Sequence, residues 1–284
     1  MAVSFGPGGN SISFGKKKFP EDLPEYLKEL GLNGYEIECG RGVRIAEKTY
    51  KLLPDIIKEH GIYLSLHTPY FISLSSENEE TRLNSLNYIK DSALAAHKLG
   101  ARKIVIHSGS CAKMTREQAL KLAKDTLSRA QKMLDEEGLS DIIICPETMG
   151  KINQLGTLSE VLELCKVDDR FLPCVDFGHL NARTLGAIKT KEDYSKLLDE
   201  IEDKLGHDRL KNFHVHFSKI MYTAGGEKAH LTFEDKEYGP QFEPLMELFA
   251  ERGLEPSVIC ESAGTQAEDA SKMRKYYDKI KNEM

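Results

Sequence analysis

The feature of this sequence that most constrains its fold is a regular alternation of short apolar runs with longer amphipathic segments. Eight runs rich in Val, Ile and Leu begin near residues 3, 34, 62, 103, 141, 172, 212 and 256. Each run is bounded by turn-forming residues and has the length and composition of a buried parallel strand. Successive runs lie roughly 30–45 residues apart, which accommodates a strand, a helix and two loops.

The segments between the runs have the apolar periodicity of helices and end at typical helix boundaries. We predict helices over residues 21–30, 46–60, 79–99, 115–137, 157–165, 191–205, 241–252 and 266–282. Glycine follows several of these segments, and TLSE at 157–160 has a capping-box pattern. The longest irregular stretch is predicted at 220–239. We therefore predict an α/β fold, a (β/α)8 TIM barrel in which residues 1–284 form a single domain.

Composition excludes several classes of protein. The chain has 284 residues, of which 40% are hydrophobic, yet no run approaches the roughly 18 apolar residues of a membrane helix. The amino terminus lacks the pattern of a secretory signal, so we expect a cytoplasmic protein with no membrane partner. Six single cysteines without a CxxC pair are expected to be buried, reduced thiols. The net charge of −6 argues against a broad basic surface for nucleic acid, but not against an acidic cleft that binds divalent cations.

Seven of the eight runs end in a residue that can bind a metal. Apart from Cys39, these are His67, His107, Glu147, Asp176 with His179 close behind, His214 with His216, and Glu261. The carboxyl ends of parallel strands converge on one face of a barrel, so these side chains are expected to meet there. Burying so many titratable groups together is costly without a cation. Imidazole and carboxylate together suit zinc, manganese or iron better than calcium or magnesium.

Some of these residues leave alternatives open. His214 and His216 are two apart in a strand and face the same side, so one can bind a metal while the other binds a phosphate or orients a ligand. Asp176 can either bind a metal or cap a helix. The position of His230, in the 220–239 stretch, does not by itself assign it a role. Three other histidines fall on helices or near helix ends and are not expected to be ligands: His60, His97 and His207.

The number of candidate ligands points to a class of chemistry. About eight ligands exceed the four that one zinc ion takes and suit two or three ions. Clusters of divalent ions are typical of phosphoryl-transfer sites. The sequence has no P-loop, no dinucleotide-binding fingerprint and no GxSxG motif, so we expect no nucleotide cofactor.

These residues, in this order, resemble the endonuclease IV family of abasic-site endonucleases, which are trinuclear zinc barrels within the xylose isomerase-like group. The resemblance spans essentially the whole chain. Its motifs are HTPYFISLSS at 67–76, IHSGS at 106–110, PETMG at 146–150, LGTLSE at 155–160, VDFGHLNA at 175–182, HVHFSK at 214–219 and CESAG at 260–264. Each motif is short, but the ordered set at the strand ends is specific.

The resemblance implies three zinc sites, with manganese or iron as alternative metals. The first would use His67, His107 and Glu147, and Glu147 would bridge to a second completed by Asp176, His214 and Glu261. His214 is preferred to His216 because Ser218 and Lys219 keep the family's spacing. The third site would use His179 and His230. The family usually adds an aspartate two residues before this last histidine, where the chain has Lys228. Three alternatives follow: Glu227 substitutes for the aspartate, His216 assists, or the third ion binds weakly.

The resemblance also implies the substrate and the reaction. The family inserts side chains into duplex DNA at the lesion, and the matching residues are Tyr70 and Phe71, with Arg41 or Arg44 in the loop after the second strand. The expected reaction is hydrolysis of the phosphodiester 5′ to an abasic site, leaving a 3′-hydroxyl and a 5′-deoxyribose phosphate. Glu147 is the expected catalytic residue, and the enzyme is expected to act as a monomer.

Two alternatives stay open. A sugar isomerase or epimerase on the same barrel could bind one Mn²⁺ through Glu147, Asp176, His214 and Glu261. A non-catalytic protein could bind metal or DNA lesions without turnover. The additional histidines favour the nuclease, because a mononuclear site has little use for them. Metal stoichiometry separates the first two hypotheses.

Overall fold

Parallel strands arranged as a barrel form the centre of the protein, in a computed structural model that describes residues 3–284. The strands are β1 (Ser4–Pro7), β2 (Gly34–Glu38), β3 (Tyr63–His67), β4 (Lys103–His107), β5 (Ile143–Glu147), β6 (Cys174–Asp176), β7 (His214–Phe217), β8 (Lys219–Thr223), β9 (Gly226–Leu231) and β10 (Ser257–Cys260). Eight of them form one sheet in the order β1-β10-β7-β6-β5-β4-β3-β2. A parallel bridge between Gly8 and Glu36 joins its two ends. The predicted (β/α)8 barrel is therefore confirmed.

Helices pack around this sheet. They are α1 (Leu23–Glu29), α2 (Glu47–His60), α3 (Glu79–Leu99), α4 (Arg116–Glu136), α5 (Leu158–Cys165), α6 (Phe177–Arg183), α7 (Lys191–Leu205), α8 (His207–Lys211), α9 (Glu243–Glu251) and α10 (Gln266–Glu283). All eight predicted helices are present, each within about two residues of its predicted ends. The short helices α6 and α8 were not predicted, because seven and five residues are too few to show a helical period. Within residues 3–284, no helix combines the length and apolar character needed to cross a membrane.

Local hydrogen bonds fix where the helices begin and end. Thr157 accepts a hydrogen bond from the backbone N–H of Glu160, and the Glu160 carboxylate accepts one from the Thr157 N–H in return, so the predicted capping box is present. Gly100 ends α3 at a φ of 80°, a left-handed conformation that glycine adopts without strain. These signals set the lengths of the loops at the two ends of the barrel.

The main apolar core lies between the sheet and the helices, whereas the barrel interior is unusually polar. In β7, Val215 and Phe217 are fully buried in the main core. Their strand neighbours His214 and His216 are equally buried but point to the other side, into the barrel. The six cysteines are all buried and free, as predicted. Because successive side chains of a strand point to opposite faces, the polar residues of β7 point into the barrel and its apolar residues point toward the helices.

The stretch from 220 to 239 is largely not irregular, so that prediction is wrong for most of its length. β8 and β9 form an antiparallel hairpin in which Ile220 pairs with His230. The hairpin contacts the loop after β5, because the Glu227 N–H donates to the Gly150 carbonyl over 3.1 Å and Lys151 bridges to Gly226. Glycine is required at Gly226, where φ is 90° and a Cβ atom would lie 2.3 Å from the Gly150 oxygen. This contact positions β9 over the carboxyl face of the barrel.

Candidate metal centre

A cavity of about 400 Å³ opens at the carboxyl ends of the barrel strands. Histidine and glutamate side chains dominate its wall: Glu38, His67, His107, Glu147, His179, Glu227, His230 and Glu261. Five of these eight residues, His67, His107, Glu147, His179 and Glu261, are candidate ligands predicted at or near strand ends, and they converge because parallel strands end on one face. Two more, Glu227 and His230, are candidates from the 220–239 stretch. The three histidines set aside from the sequence are exposed and lie on α2, α3 and α8.

Glu147 lies at the centre of this cluster. Its Oε2 atom is 3.4 Å from Nε2 of His67 and 3.3 Å from Nε2 of His107. Its Oε1 atom is 3.2 Å from Nδ1 of His179 and 3.3 Å from Nδ1 of His216. Each carboxylate oxygen therefore faces a different pair of imidazoles. A carboxylate in this position can bridge two neighbouring groups of ligands.

The first ligand group consists of His67, His107 and Glu147, whose potential ligand atoms all lie within 4.8 Å of one another. The Nδ1 atom of His67 is 2.9 Å from the Thr68 carbonyl oxygen. A hydrogen bond there places the ring proton on Nδ1 and leaves Nε2 free toward the cavity, as in metal-binding histidines.

The second ligand group consists of Glu147, Asp176, His216 and Glu261, again with ligand atoms within 4.8 Å. Oδ1 of Asp176 accepts a hydrogen bond from the His179 N–H over 2.7 Å and so caps α6. Oδ2 of the same residue is buried; it is 3.2 Å from Nδ1 of His179 but has no partner with hydrogen-bond geometry in residues 3–284. Burying a carboxylate oxygen without a partner is costly, and a divalent cation would satisfy it. Asp176 can therefore cap α6 through Oδ1 and bind a metal through Oδ2, so the two predicted roles do not exclude each other.

The structure places His216, and not His214, in this second group. In the sheet register Asp176 pairs with His216, whereas His214 pairs with Cys174. His214 comes two residues before His216 in the strand, with the two ring centroids 5.1 Å apart, so His214 lies one layer deeper in the barrel. There its Nε2 atom is 3.0 Å from Oε2 of Glu36. The prediction of His214 rested on its spacing from Ser218 and Lys219 in the sequence, and this spacing does not show how deep each histidine lies in the barrel.

The third ligand group consists of His179, Glu227 and His230. Oε2 of Glu227 is 3.5 Å from Nε2 of His179, and Oε1 is 4.0 Å from Nε2 of His230. Residues three apart in a regular strand face opposite sides. Here Met221 pairs with Ala229 and Tyr222 with Glu227, so Lys228 is an extra residue, a β-bulge that turns Glu227 to the side of His230. Glu227, the expected substitute, joins this group, whereas His216 belongs to the second group.

The electrostatics of the cluster are those of a site that holds positive charge. Burial would raise the pKa of Glu147, but His179, His216 and His67 hold it well below its usual range. Burial and the nearby carboxylates of Glu147 and Asp176 raise the pKa of Glu261 to about 8, against the opposing effect of His216. Burial also opposes a charge on His67, yet Glu147 raises the pKa of that residue to about 10. A cation would therefore compete with protons at Glu261 and His67, whereas burial lowers the pKa of His107 to about 3 and leaves that ring unprotonated.

Of the candidate DNA-binding residues, Tyr70 lines the cavity, whereas the Phe71 ring packs on Tyr88 of α3 with centroids 5.2 Å apart. Tyr70 and Phe71, in the loop after β3, are 58% and 48% exposed. The Tyr70 ring stacks on the His107 ring with centroids 5.8 Å apart, and the residue is held in place by a hydrogen bond from its N–H to the Gly40 carbonyl. Arg41 and Arg44 are exposed in the loop after β2.

Sequence reasoning missed two glutamates on β2. Glu36 is fully buried in the barrel and contacts His214 and His216, and Glu38 lines the cavity. A signal was available in GYEIEC, because strands of a parallel barrel are covered on both faces and are normally apolar. Two glutamates two residues apart in such a strand point to the same, inward side.

Comparisons with known proteins agree with this geometry. Residues 24–280 match the family described as xylose isomerase-like TIM barrel. An uncharacterized protein of Methanocaldococcus jannaschii is 31% identical over 282 residues, which cover 99% of this chain and 98% of that protein. A probable endonuclease 4 of Oceanobacillus iheyensis is 27% identical and covers 74% of this chain and 72% of its own length.

The fold also matches a solved structure of a D-tagatose 3-epimerase-like protein. The TM-score is 0.73 at 21% identity, and 99% of each chain is covered. At this identity the match supports the fold and leaves the reaction open. From the match over residues 24–280 and the barrel described above, this chain belongs to the xylose isomerase-like TIM barrel family.

Proposed function

We propose that this chain is a zinc-dependent endonuclease of the endonuclease IV type, which hydrolyses the phosphodiester 5′ to abasic sites in duplex DNA and leaves a 3′-hydroxyl and a 5′-deoxyribose phosphate. On this proposal the whole chain acts as one barrel domain with its metal centre at the carboxyl ends of the strands. The observation that carries the proposal is that three ligand groups adjoin one another, the first two through Glu147. A mononuclear enzyme needs only one such group.

The donor set fits zinc, with manganese or iron as alternatives. Each group combines imidazole nitrogen with carboxylate oxygen, which these metals accept and which calcium and magnesium do not favour. The first group would hold one ion through His67, His107 and Glu147. The second would hold another through Glu147, Asp176, His216 and Glu261, and the third group would hold the remaining ion. Two or three such ions, when bound, lower the pKa of water and neutralise charge on phosphate oxygens.

The buried carboxylate of Glu147 is the catalytic residue in this proposal. It is 1% exposed and lies among all three ligand groups, so its position relative to a bound phosphodiester is fixed by packing. It would orient the attacking water by accepting a hydrogen bond from it, or take up the proton that this water releases. Fixed positioning of the nucleophile removes much of the entropic part of the barrier.

The mouth of the cavity suits a nucleotide that has been turned out of the duplex. A volume of about 400 Å³ admits a sugar with its phosphates but not a duplex. Extrusion is easiest at an abasic site, because base stacking is already lost there. Tyr70, which lines the cavity, and Phe71 next to it in the chain are exposed aromatic side chains and would fill the gap left in the stack. Arg41 and Arg44 would contact the phosphate backbone.

A sugar epimerase is the second candidate, and one observation favours it. The second ligand group by itself is a complete mononuclear site with two glutamates, Glu147 and Glu261, that could exchange a proton with a bound ketose. The similarity to a D-tagatose 3-epimerase-like protein supports the same hypothesis at the level of fold. This candidate assigns no task to the first and third groups.

The deciding experiment uses metal-loaded protein and a labelled duplex that carries one stable abasic analogue, with an intact duplex as control. We expect a nick immediately 5′ to the lesion that exhaustive chelation abolishes and zinc or manganese restores. Absence of a nick from protein that carries two or three ions would refute the endonuclease. Turnover in a panel of ketoses by protein with one ion per chain would establish the epimerase instead.

A further inference from the structure

A buried glutamate lies directly beneath the second ligand group. Glu36, on β2, is fully buried, and its Oε1 atom is 2.8 Å from Nε2 of His216. On the opposite side of the ring, Nδ1 of His216 faces the cavity carboxylates at longer distances, 3.3 Å from Glu147 and 3.5 Å from Glu261. The ring of His216 therefore lies between one carboxylate below it and two at the level of the cavity.

We propose that Glu36 is a positioning residue for the metal centre: it accepts the Nε2 proton of His216 and so presents the unprotonated Nδ1 atom to the second ion. The inference rests on the proposed function in one respect, namely that an ion binds the second group. An imidazole binds a metal through one nitrogen, and a hydrogen bond at the other fixes both the tautomer and the ring orientation.

The two atoms of this contact depend on each other. In the described residues, neither Nε2 of His216 nor Oε1 of Glu36 has a hydrogen-bond partner, and the contact between them does not itself have hydrogen-bond geometry. The opposite ring nitrogen, Nδ1, faces Oε1 of Glu147 within hydrogen-bond geometry at 3.3 Å. Leaving Nε2 of His216 or Oε1 of Glu36 without a partner in the interior would cost free energy, and their 2.8 Å approach is the contact that can compensate both. On our proposal this contact becomes a hydrogen bond when an ion binds Nδ1 of the same ring.

The other oxygen of Glu36 is held by a chain of donors with a defined direction. The ammonium group of a charged lysine has donors but no acceptor, so Lys103 donates to Oγ of Ser257 over 3.0 Å. The Ser257 hydroxyl then donates to Nδ1 of His214 over 2.8 Å, which leaves the His214 proton on Nε2, facing Oε2 of Glu36 at 3.0 Å. Ser65 donates to the same oxygen over 2.7 Å. Glu36 is thus left as the acceptor for every group around it, His216 included.

This arrangement also gives His214 a task. Sequence spacing made it a ligand, but its ring has one nitrogen toward Ser257 and the other toward Glu36. His214 contacts the Glu36 carboxylate, and on our proposal that carboxylate orients His216. The first histidine of HVH therefore acts on the second through Glu36.

The test is the variant Glu36→Gln, which keeps the shape but replaces one acceptor oxygen with an amide donor. We expect affinity for the ion of the second group to fall by about 10–100-fold, measured by competition with a chelator. The visible absorption of the Co²⁺-loaded protein should change as well, because the orientation of a ligand changes. Asp269→Asn is the matched control, since Asp269 is another buried carboxylate, bound to Phe233 N and Thr265 outside the metal centre.

The possible outcomes are distinct. If the unaltered protein binds no metal, the proposed function fails. If it binds metal and Glu36→Gln binds with the same affinity and the same Co²⁺ spectrum, the role of Glu36 is refuted. Circular dichroism checks folding, and if Glu36→Gln does not fold, Ser65→Ala takes its place. That variant removes one donor to Glu36 and should weaken binding less than tenfold with a spectral change in the same direction; an unchanged affinity and spectrum would refute the role.

Discussion

The third ligand group depends on a glycine, and replacing it with alanine tests whether that group holds an ion. A Cβ atom on Gly150 would lie 2.6 Å from Cβ of Glu227, 2.7 Å from its Oε2 atom and 2.9 Å from Cδ2 of His179. The nearest of these atoms is fixed to the backbone of β9 and cannot rotate away. Gly150 is not at a positive φ, so alanine adopts its backbone conformation and the effect is one of space.

The size of the displacement follows from the distances. Ordinary contact begins at 3.4 Å, so the hairpin and the loop after β5 must separate by 3.4 − 2.6 = 0.8 Å. Metal–ligand distances tolerate about 0.2 Å, so a shift of this size separates Glu227 and His179 too far to bind one ion together. Overpacking of this kind costs roughly 1–3 kcal/mol, a decrease in Tm of a few degrees for a protein of this size. The fold should therefore survive.

We expect Gly150→Ala to hold one ion fewer per chain than the unaltered protein, measured by elemental analysis after equilibrium dialysis against zinc. Gly225→Ala is the matched control. Gly225 lies in the turn of the same hairpin, also not at a positive φ, and its added Cβ would meet only Oγ1 of Thr223, at 3.8 Å. Equal metal content in both variants and in the unaltered protein would refute the assignment of the third group.

Three further predictions concern the first two groups and the cavity mouth. Glu147→Gln should lower DNA cleavage by at least about 100-fold, since it removes both a ligand and a base, and activity within tenfold of the original in a nicking assay would contradict this. Zinc affinity should fall as pH decreases from 8 to 6, because Glu261, with a pKa of about 8, and His67, with a pKa of about 10, bind protons that the ion must displace. Calorimetry in buffers of different ionisation enthalpy measures the protons released, and an affinity independent of pH would disprove the coupling. Tyr70→Ala should weaken binding to abasic DNA by roughly tenfold or more while Tyr70→Phe, which keeps the ring, binds normally; equal loss in both variants would exclude stacking.

The barrel could be predicted because its signals are local. Apolar runs, periodic helices and glycine C-caps are each confined to a short window of sequence, and all eight predicted helices are present. The hairpin of β8 and β9 could not be predicted in this way. Its strands are short and partly exposed, and its docking on Gly150 depends on a segment about 75 residues earlier in the chain.

The candidate site could be predicted only in part, for a related reason. His67, His107 and Glu147 each close a strand, and the ends of parallel strands meet whatever the details of packing. The choice between His214 and His216 depends on depth along the barrel axis. Depth is set by the pairing of β7 with β6, which no local pattern reports.

The sequence by itself determined the fold, the face of the barrel that carries the ligands and the kinds of atom that converge there. Tertiary structure alone decided which atoms face one another. The bulge at Lys228 turned Glu227 toward His230, and the register of β7 placed His216 above His214, with Glu36 beneath it. Strand periodicity is a property of consecutive residues, whereas strand register and the depth of a side chain are properties of pairs of strands that are distant in sequence.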